Sequence, residues 1–238
     1  MESDIEKYIE DWFIKLDSKK LPLSFYLIRK SLLKAVDELK PKIHGNVLDL
    51  ACGVMPYKEY LKNTAIKRYI GVDLELTDYH GLVKPDLYWN GKHIPLEDSS
   101  VDFVIATEFL EHYFDTKHIV REIKRVLKPG GTLFFTVPCI WPIHEKPFDY
   151  HRFTPFSLTE HFKIADFTSS IIKPLGGFHY SLALMCCIWY DFKLSKYKQK
   201  YVKPLLNIFI NEVIKRDKIY TELDNNQFYS GLYGFATK

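Results

Sequence analysis

Between residues 46 and 138, short apolar runs alternate with segments of helical spacing. That alternation constrains the fold more than any other feature, because it implies parallel βαβ units. The runs "NVLDLA" (46–51), "RYIGVDL" (68–74), "VDFVIATE" (101–108) and "GTLFFTVP" (131–138) read as buried strands. "YKEYLKN" (57–63) and "TKHIVREIKRVL" (116–127) read as helices, the second ended by "KPGG" (128–131). Two amphipathic helices, 2–17 and 24–39, come first, with Pro22 between them and Pro41 after the second. After residue 138 the rhythm changes. A loop rich in proline and aromatic residues (138–156) precedes a short helix (157–163) and a strand (167–173). Helices at 179–193 and 204–216 and a closing strand within 227–238 complete the reading.

The expected fold class is α/β: a Rossmann-like, seven-stranded, mostly parallel sheet with an antiparallel last strand and helices on both faces. The 238 residues suit one domain, 1–238, with a helical cap (1–40) and a helical lid or insertion (174–226) before the last strand. The formal net charge of +3 argues against a polyanion binder, so nucleic acid is a disfavoured partner. Cys52, Cys139, Cys186 and Cys187 lack metal-site spacing, and the acidic N-terminal stretch does not read as a signal peptide. A reduced, cytoplasmic setting is the expectation. The most apolar window, 178–192, is too short to span a bilayer, which needs about 20 residues. It reads as a buried or lid helix, or as a surface touching membrane or a lipid-linked substrate.

Chemistry concentrates at the strand ends. Gly53 follows the first strand, and Asp73 ends the second. An acidic residue at that distance can accept hydrogen bonds from ribose hydroxyls. A pyrophosphate needs two or three glycines and free N–H groups at a helix start. Here Ala51, Met55 and Pro56 stand in the loop, and Pro56 has no N–H. An adenosine ligand without phosphates fits better, and S-adenosyl-L-methionine is the leading candidate. An ordinary strand–turn with a chance glycine is the bland alternative.

The segments "NGKHIPLEDSSVD" (90–102), "EFLEH" (108–112), "RVLKPGG" (125–131) and "HEKPFDYHRFT" (144–154) follow in order. Through them the chain resembles the class I S-adenosylmethionine-dependent methyltransferases, in particular a small bacterial group with the last of these loops. The resemblance runs from about residue 45 to 167. It implies a cofactor site formed by Asp49, Ala51, Cys52, Gly53, Asp73, Leu74, Asn90, Gly91, Thr107 and Glu108. Two departures stand out: Ala51 replaces the usual Gly, and Asn90 replaces an acidic residue near the adenine. Glu111 and His112 are expected to brace the site, and Asp102 and Pro129–Gly130–Gly131 to shape a strand entrance and a helix exit.

The implied reaction is methyl transfer to oxygen or nitrogen of a small-molecule or saccharide acceptor. Two alternatives stay open: an enzyme acting on a protein or lipid-linked acceptor, and a non-catalytic cofactor-binding module. A hydroxyl acceptor needs a base. The loop at 144–154 supplies His144, Asp149, His151 and Arg152 as candidate catalytic residues. His144 is the first choice for base, since imidazole titrates near neutral pH. Arg152 either locks the loop against Asp149 or Glu145 or grips an anionic substrate. No metal-ligand cluster is expected, because the histidines are scattered along the chain.

Overall fold

A computed structural model describes residues 2–75, 83–220 and 228–238. Seven strands form one sheet in the order β3-β2-β1-β4-β5-β7-β6. They are β1 (His44–Leu50), β2 (Ala65–Leu74), β3 (Leu87–Trp89), β4 (Val101–Thr107), β5 (Leu127–Pro138), β6 (Ser169–Leu175) and β7 (Gly231–Thr237). Strand β7 runs antiparallel to both β5 and β6, while the pairings among β1 to β5 are all parallel. The expected fold class is therefore observed.

Alternating strand residues feed two cores. Leu48 and Leu50 of β1, Val104 and Ala106 of β4, and Leu133 and Phe135 of β5 share one core with α4 (Thr116–Val126) and α5 (Pro155–Ile164). On the opposite face Val47, Phe103, Ile105 and Phe134 pack against α2 (Leu23–Leu39), α6 (Phe178–Lys193) and α7 (Lys196–Lys215). Ahead of them α1 (Glu2–Ile9) leads into a π-helical turn, Glu10–Ile14. The short helix α3 (Lys58–Leu61) follows β1.

Several boundaries differ from the sequence reading, three of them for a clear local reason. Helix α5 starts at Pro155 rather than at 157, because proline is accommodated at a first helical position. The Thr154 hydroxyl accepts from Ser157 N–H and the Ser157 hydroxyl accepts from Thr154 N–H, a reciprocal cap. Helix α7 runs through Pro204, which the sequence reading took as its start. Pro129–Gly130–Gly131 is not a helix exit: α4 stops at Val126, Leu127 is already extended, and the Pro-Gly-Gly segment opens β5. Asp102 shapes the β4 entrance as expected. Its Oδ2 accepts from Asn46 N–H at 2.8 Å and its Oδ1 meets Lys128 Nζ at 2.8 Å.

Among the described residues no helix is long and apolar enough to cross a membrane. The four cysteines are free thiols.

Candidate active site

In such sheets ligands bind beyond the carboxyl ends of the strands, where chain order reverses. The reversal lies at β1, flanked by β2 on one side and β4 on the other. All ten cofactor residues named above sit at or just past the carboxyl ends of β1 to β4.

The β1 loop is a tight, unusual turn. Ala51, Gly53 and Met55 all have positive φ, at 56°, 49° and 49°. The left-handed conformation at Ala51 gives a physical reason for glycine there in similar sequences. Cys52 N–H donates to the Val72 carbonyl at 3.1 Å, tying the turn to β2. Gly53 N–H donates to Asp73 Oδ2 at 2.8 Å, and Leu74 N–H donates to Asp73 Oδ1 at 2.7 Å. Asp73 thus fixes the loop. A Cβ on Gly53 would meet nothing within 4 Å, so open space lies over the turn.

Asp49 is buried beneath this turn and accepts from the Tyr69 hydroxyl at 2.5 Å. Burial pushes its carboxyl up to about 7, against the opposing pull of that hydrogen bond. The nearby Asp73 charge raises it further.

The β3 loop is held from behind. Tyr113 hydroxyl donates to the Gly91 carbonyl at 2.7 Å, and its ring stacks on Trp89 at 5.7 Å. Asn90 Oδ1 accepts from the N–H groups of Lys92 and His93 at 2.9 and 3.0 Å. Its carbonyl is therefore engaged inside its own loop.

Past β4, Glu108 adopts φ 49°. Its N–H donates to the Thr136 carbonyl, and its Oε1 accepts from the Thr136 hydroxyl at 2.9 Å. Desolvation raises its carboxyl above the ordinary range. Arg29, on α2, was missed by the sequence reading. Its guanidinium lies 3.9 Å from the Phe13 ring centre and near enough to Glu108 to favour the ionised carboxylate. Its buried Nε has no hydrogen-bond partner. The helical extension carrying it is distant in sequence from every motif, so no local spacing signals it.

The loop after β5 packs on the turn that follows β4. Arg152 forks onto Asp149, with contacts of 2.6 and 2.9 Å, and also donates to the Trp141 and His151 carbonyls. The guanidinium holds the Asp149 carboxyl well below the usual carboxylate range. Asp149 and Arg152 thus spend their charges on each other: of the two roles weighed for Arg152, the geometry is that of the lock. His151 turns its Nε2 to the Phe114 carbonyl at 3.1 Å, and its ring lies 5.2 Å from that of Phe153. His144 lies in the same loop, its N–H donating to Asp149 Oδ2 at 3.1 Å.

The loop also reaches Glu111 and His112, which form a short 3-10 turn with Leu110. Tyr150 and His151 N–H groups both donate to the Glu111 carbonyl. One ligand atom each from Glu111, His112 and His144 lies within 4.8 Å of the others. The expectation that no metal-ligand cluster exists is corrected here. The fold brings together residues that 31 intervening positions separate between His112 and His144.

The chain is similar to known proteins in sequence and in fold. Residues 48–135 match the family model described as "Methyltransferase domain". The chain is 31% identical over 145 residues to a probable S-adenosylmethionine-dependent methyltransferase of Mycolicibacterium smegmatis, covering 56% of this chain and 55% of that protein. It is 33% identical over 125 residues to a demethylmenaquinone methyltransferase of Corynebacterium kroppenstedtii, covering 48% and 51%. The chain thus spans about half the length of these curated relatives. A solved S-adenosylmethionine-dependent methyltransferase from Archaeoglobus fulgidus shares the fold, with TM-score 0.58, 17% identity, and coverage of 89% and 94%.

Proposed function

We propose that this chain, which belongs to the class I S-adenosylmethionine-dependent methyltransferases, transfers a methyl group to oxygen or nitrogen of a small-molecule or saccharide acceptor. The cofactor supplies an electrophilic methyl group carried on a sulfonium. The residues present suit such a ligand: a glycine with open space above it, a carboxylate at the end of β2, and the unpartnered Nε of Arg29 near the cleft. Asp73 is the proposed holder of the ribose hydroxyls. The turn at Asp49, Ala51, Cys52 and Gly53 would border the methionine portion, with Arg29 near its carboxylate. Asn90 and Gly91 would edge the adenine, while Leu74, Thr107 and Glu108 would complete the wall. In this reading residues 1–40 cap the cleft and 174–226 form a helical insertion, of which 221–226 lie outside the described residues.

The single observation that carries the acceptor assignment is the Arg152–Asp149 clasp. It ties His144 to the Arg152 end of the loop, and in this reading His144 takes the acceptor's proton. Alignment and exclusion of water do much of the catalytic work in such a displacement. The relative named for demethylmenaquinone supports a small-molecule acceptor. The test is transfer of labelled methyl to a panel of hydroxylated and amino metabolites and saccharides. His144→Ala is expected to lower turnover at least about tenfold, a loss of about 1.4 kcal/mol of transition-state stabilisation, with nearly unchanged cofactor affinity. Unchanged turnover would remove His144 from the chemistry.

A second reading, an acceptor presented at a lipid surface, is favoured by one feature. Phe178, Leu182, Met185, Trp189 and Phe192 recur at helical spacing on α6, each about half exposed. Lys196, Lys198, Lys200 and Lys203 follow at the start of α7. An apolar stripe beside cations suits an anionic membrane surface. Cosedimentation with phosphatidylglycerol-containing vesicles, reduced in Trp189→Glu, would support this reading; no cosedimentation would end it.

A further inference from the structure

We propose that Glu111, His112 and His144 form a divalent-cation site beside the cofactor cleft, with the cation's outer face open to a hydroxyl of the acceptor. The geometry is the first ground. Glu111 Oε1 and His112 Nε2 stand 3.6 Å apart, too far for a hydrogen bond. It is close to the separation of neighbouring ligands on one ion. With bonds of about 2.1 Å, two ligands of a tetrahedral centre lie roughly 3.4 Å apart. One ring nitrogen of His144 completes a group within 4.8 Å.

The second ground is independent. Glu111 is fully buried, yet neither carboxylate oxygen has a hydrogen-bond partner. Buried polar atoms are nearly always paired, so two orphans on one carboxylate need a partner that the protein does not supply. His144 Nδ1 is a third orphan in the same place. Asp149 Oδ2, 3.3 Å away, lies off the line of a good hydrogen bond.

The surroundings hold His112 in the tautomer a cation needs. His112 Nδ1 lies 3.1 Å from the Phe148 carbonyl, a contact that only an N–H satisfies. That tautomer leaves a lone pair on Nε2, the atom facing Glu111. The loop N–H groups of Tyr150 and His151 anchor the Glu111 backbone. One guanidinium group is near, that of Arg152, and it is neutralised by Asp149.

Two imidazoles and a carboxylate suit zinc, iron, cobalt or manganese better than calcium. The His112 and His144 side chains keep 17% and 28% of their surface exposed, so a bound ion would retain open positions. The substrate class this implies is an acceptor with two adjacent hydroxyls that chelate the ion. With the ion bound, His144 serves as a ligand rather than as the base, because an ion-bound hydroxyl acidifies and loses its proton to solvent. Its oxygen lone pair then forms the bond to the methyl carbon, as the methyl–sulfur bond breaks and leaves its pair on sulfur. The acceptor class rests on the methyl-transfer reading; the cation site does not.

The test uses the full chain, stripped with a chelator and titrated with Co2+ while visible absorption is followed. One equivalent should saturate a ligand-field band. Glu111→Gln and His144→Ala should each weaken binding at least about tenfold. His44→Ala, whose ring bonds the Lys42 carbonyl at the opposite end of β1, should bind as the parent does. Glu111→Gln keeps the side chain's shape and carries the test should His144→Ala fail to fold. No saturable band, or equal binding by all variants, overturns the site. A parallel titration with S-adenosylhomocysteine separates the two readings. Co2+ binding without it leaves the cation site standing and removes the methyl-transfer reading; the converse does the reverse.

Discussion

Ala51 and Asp49 show how single residues in the first loop set stability as well as function. Ala51 holds φ 56°, a conformation that costs an L-residue roughly 1–2 kcal/mol. Ala51→Gly relieves that strain while adding freedom to the unfolded chain. The net gain expected is about 0.5 kcal/mol, read as a rise of 1–2 °C in melting temperature. Asp49 makes a prediction with a definite sign. Its folded-state value is raised by burial to about 7, far above the ordinary carboxylate range. Between the unfolded and folded values, from about pH 4 to pH 7, the folded protein holds a proton that the unfolded chain has lost. Stability therefore falls as pH rises through that window, by at most about 1.4 kcal/mol per pH unit. Asp49→Asn cannot titrate, so its melting temperature should gain on the parent's from pH 5 to pH 7. Parallel melting curves check this, and a constant difference would reject a buried, proton-holding Asp49. The pairing of Asp73 with Gly53 was readable from sequence, because their spacing follows from one strand–turn–strand unit. The burial of Asp49 under Tyr69 was not, since it depends on the register of β1 against β2.

Elements are joined by contacts that no local pattern announces. Helix α2 begins after Pro22 without a capping side chain of its own. Asp191, at the far end of α6, takes that role. It accepts from Ser24 N–H at 2.7 Å, Ser24 hydroxyl at 2.6 Å and Leu23 N–H at 3.3 Å. Asp191→Ala should cost about 1–2 kcal/mol, a fall of roughly 3–6 °C in melting temperature measured by calorimetry. Because α2 carries Arg29, cofactor affinity should weaken alongside. Strand and helix identities were largely legible, because burial on two faces imposes clear periods. Helix ends at Pro155 and Pro204 were not, since proline both starts helices and, with tertiary support, sits inside them. The short β3 gives only three residues of pattern.

At the scale of the whole molecule, β7 is the strand that closes the sheet. It inserts antiparallel between β5 and β6. A Cβ on Gly234 would fall 2.1 Å from the Ile171 carbonyl oxygen and 3.0 Å from Phe135. Backbone cannot yield there without breaking the ladder, so Gly234→Ala should destabilise by about 3 kcal/mol or more, seen as a lower denaturation midpoint or loss of soluble protein. The sheet order also explains what remained hidden in the candidate site. Residues at the ends of β1 to β4 come together by topology alone and could be read from their motifs. Arg29 from the helical extension, and His144 meeting Glu111 and His112, depend on how outlying segments fold back over the sheet. The central claim is that the turn at Gly53 and the carboxylate of Asp73 together hold an adenosyl ligand. Calorimetric titration of the full chain with S-adenosylhomocysteine tests it directly. One equivalent should bind, and Asp73→Asn should weaken binding at least about tenfold. No binding at millimolar ligand, or binding indifferent to Asp73→Asn, would contradict the account.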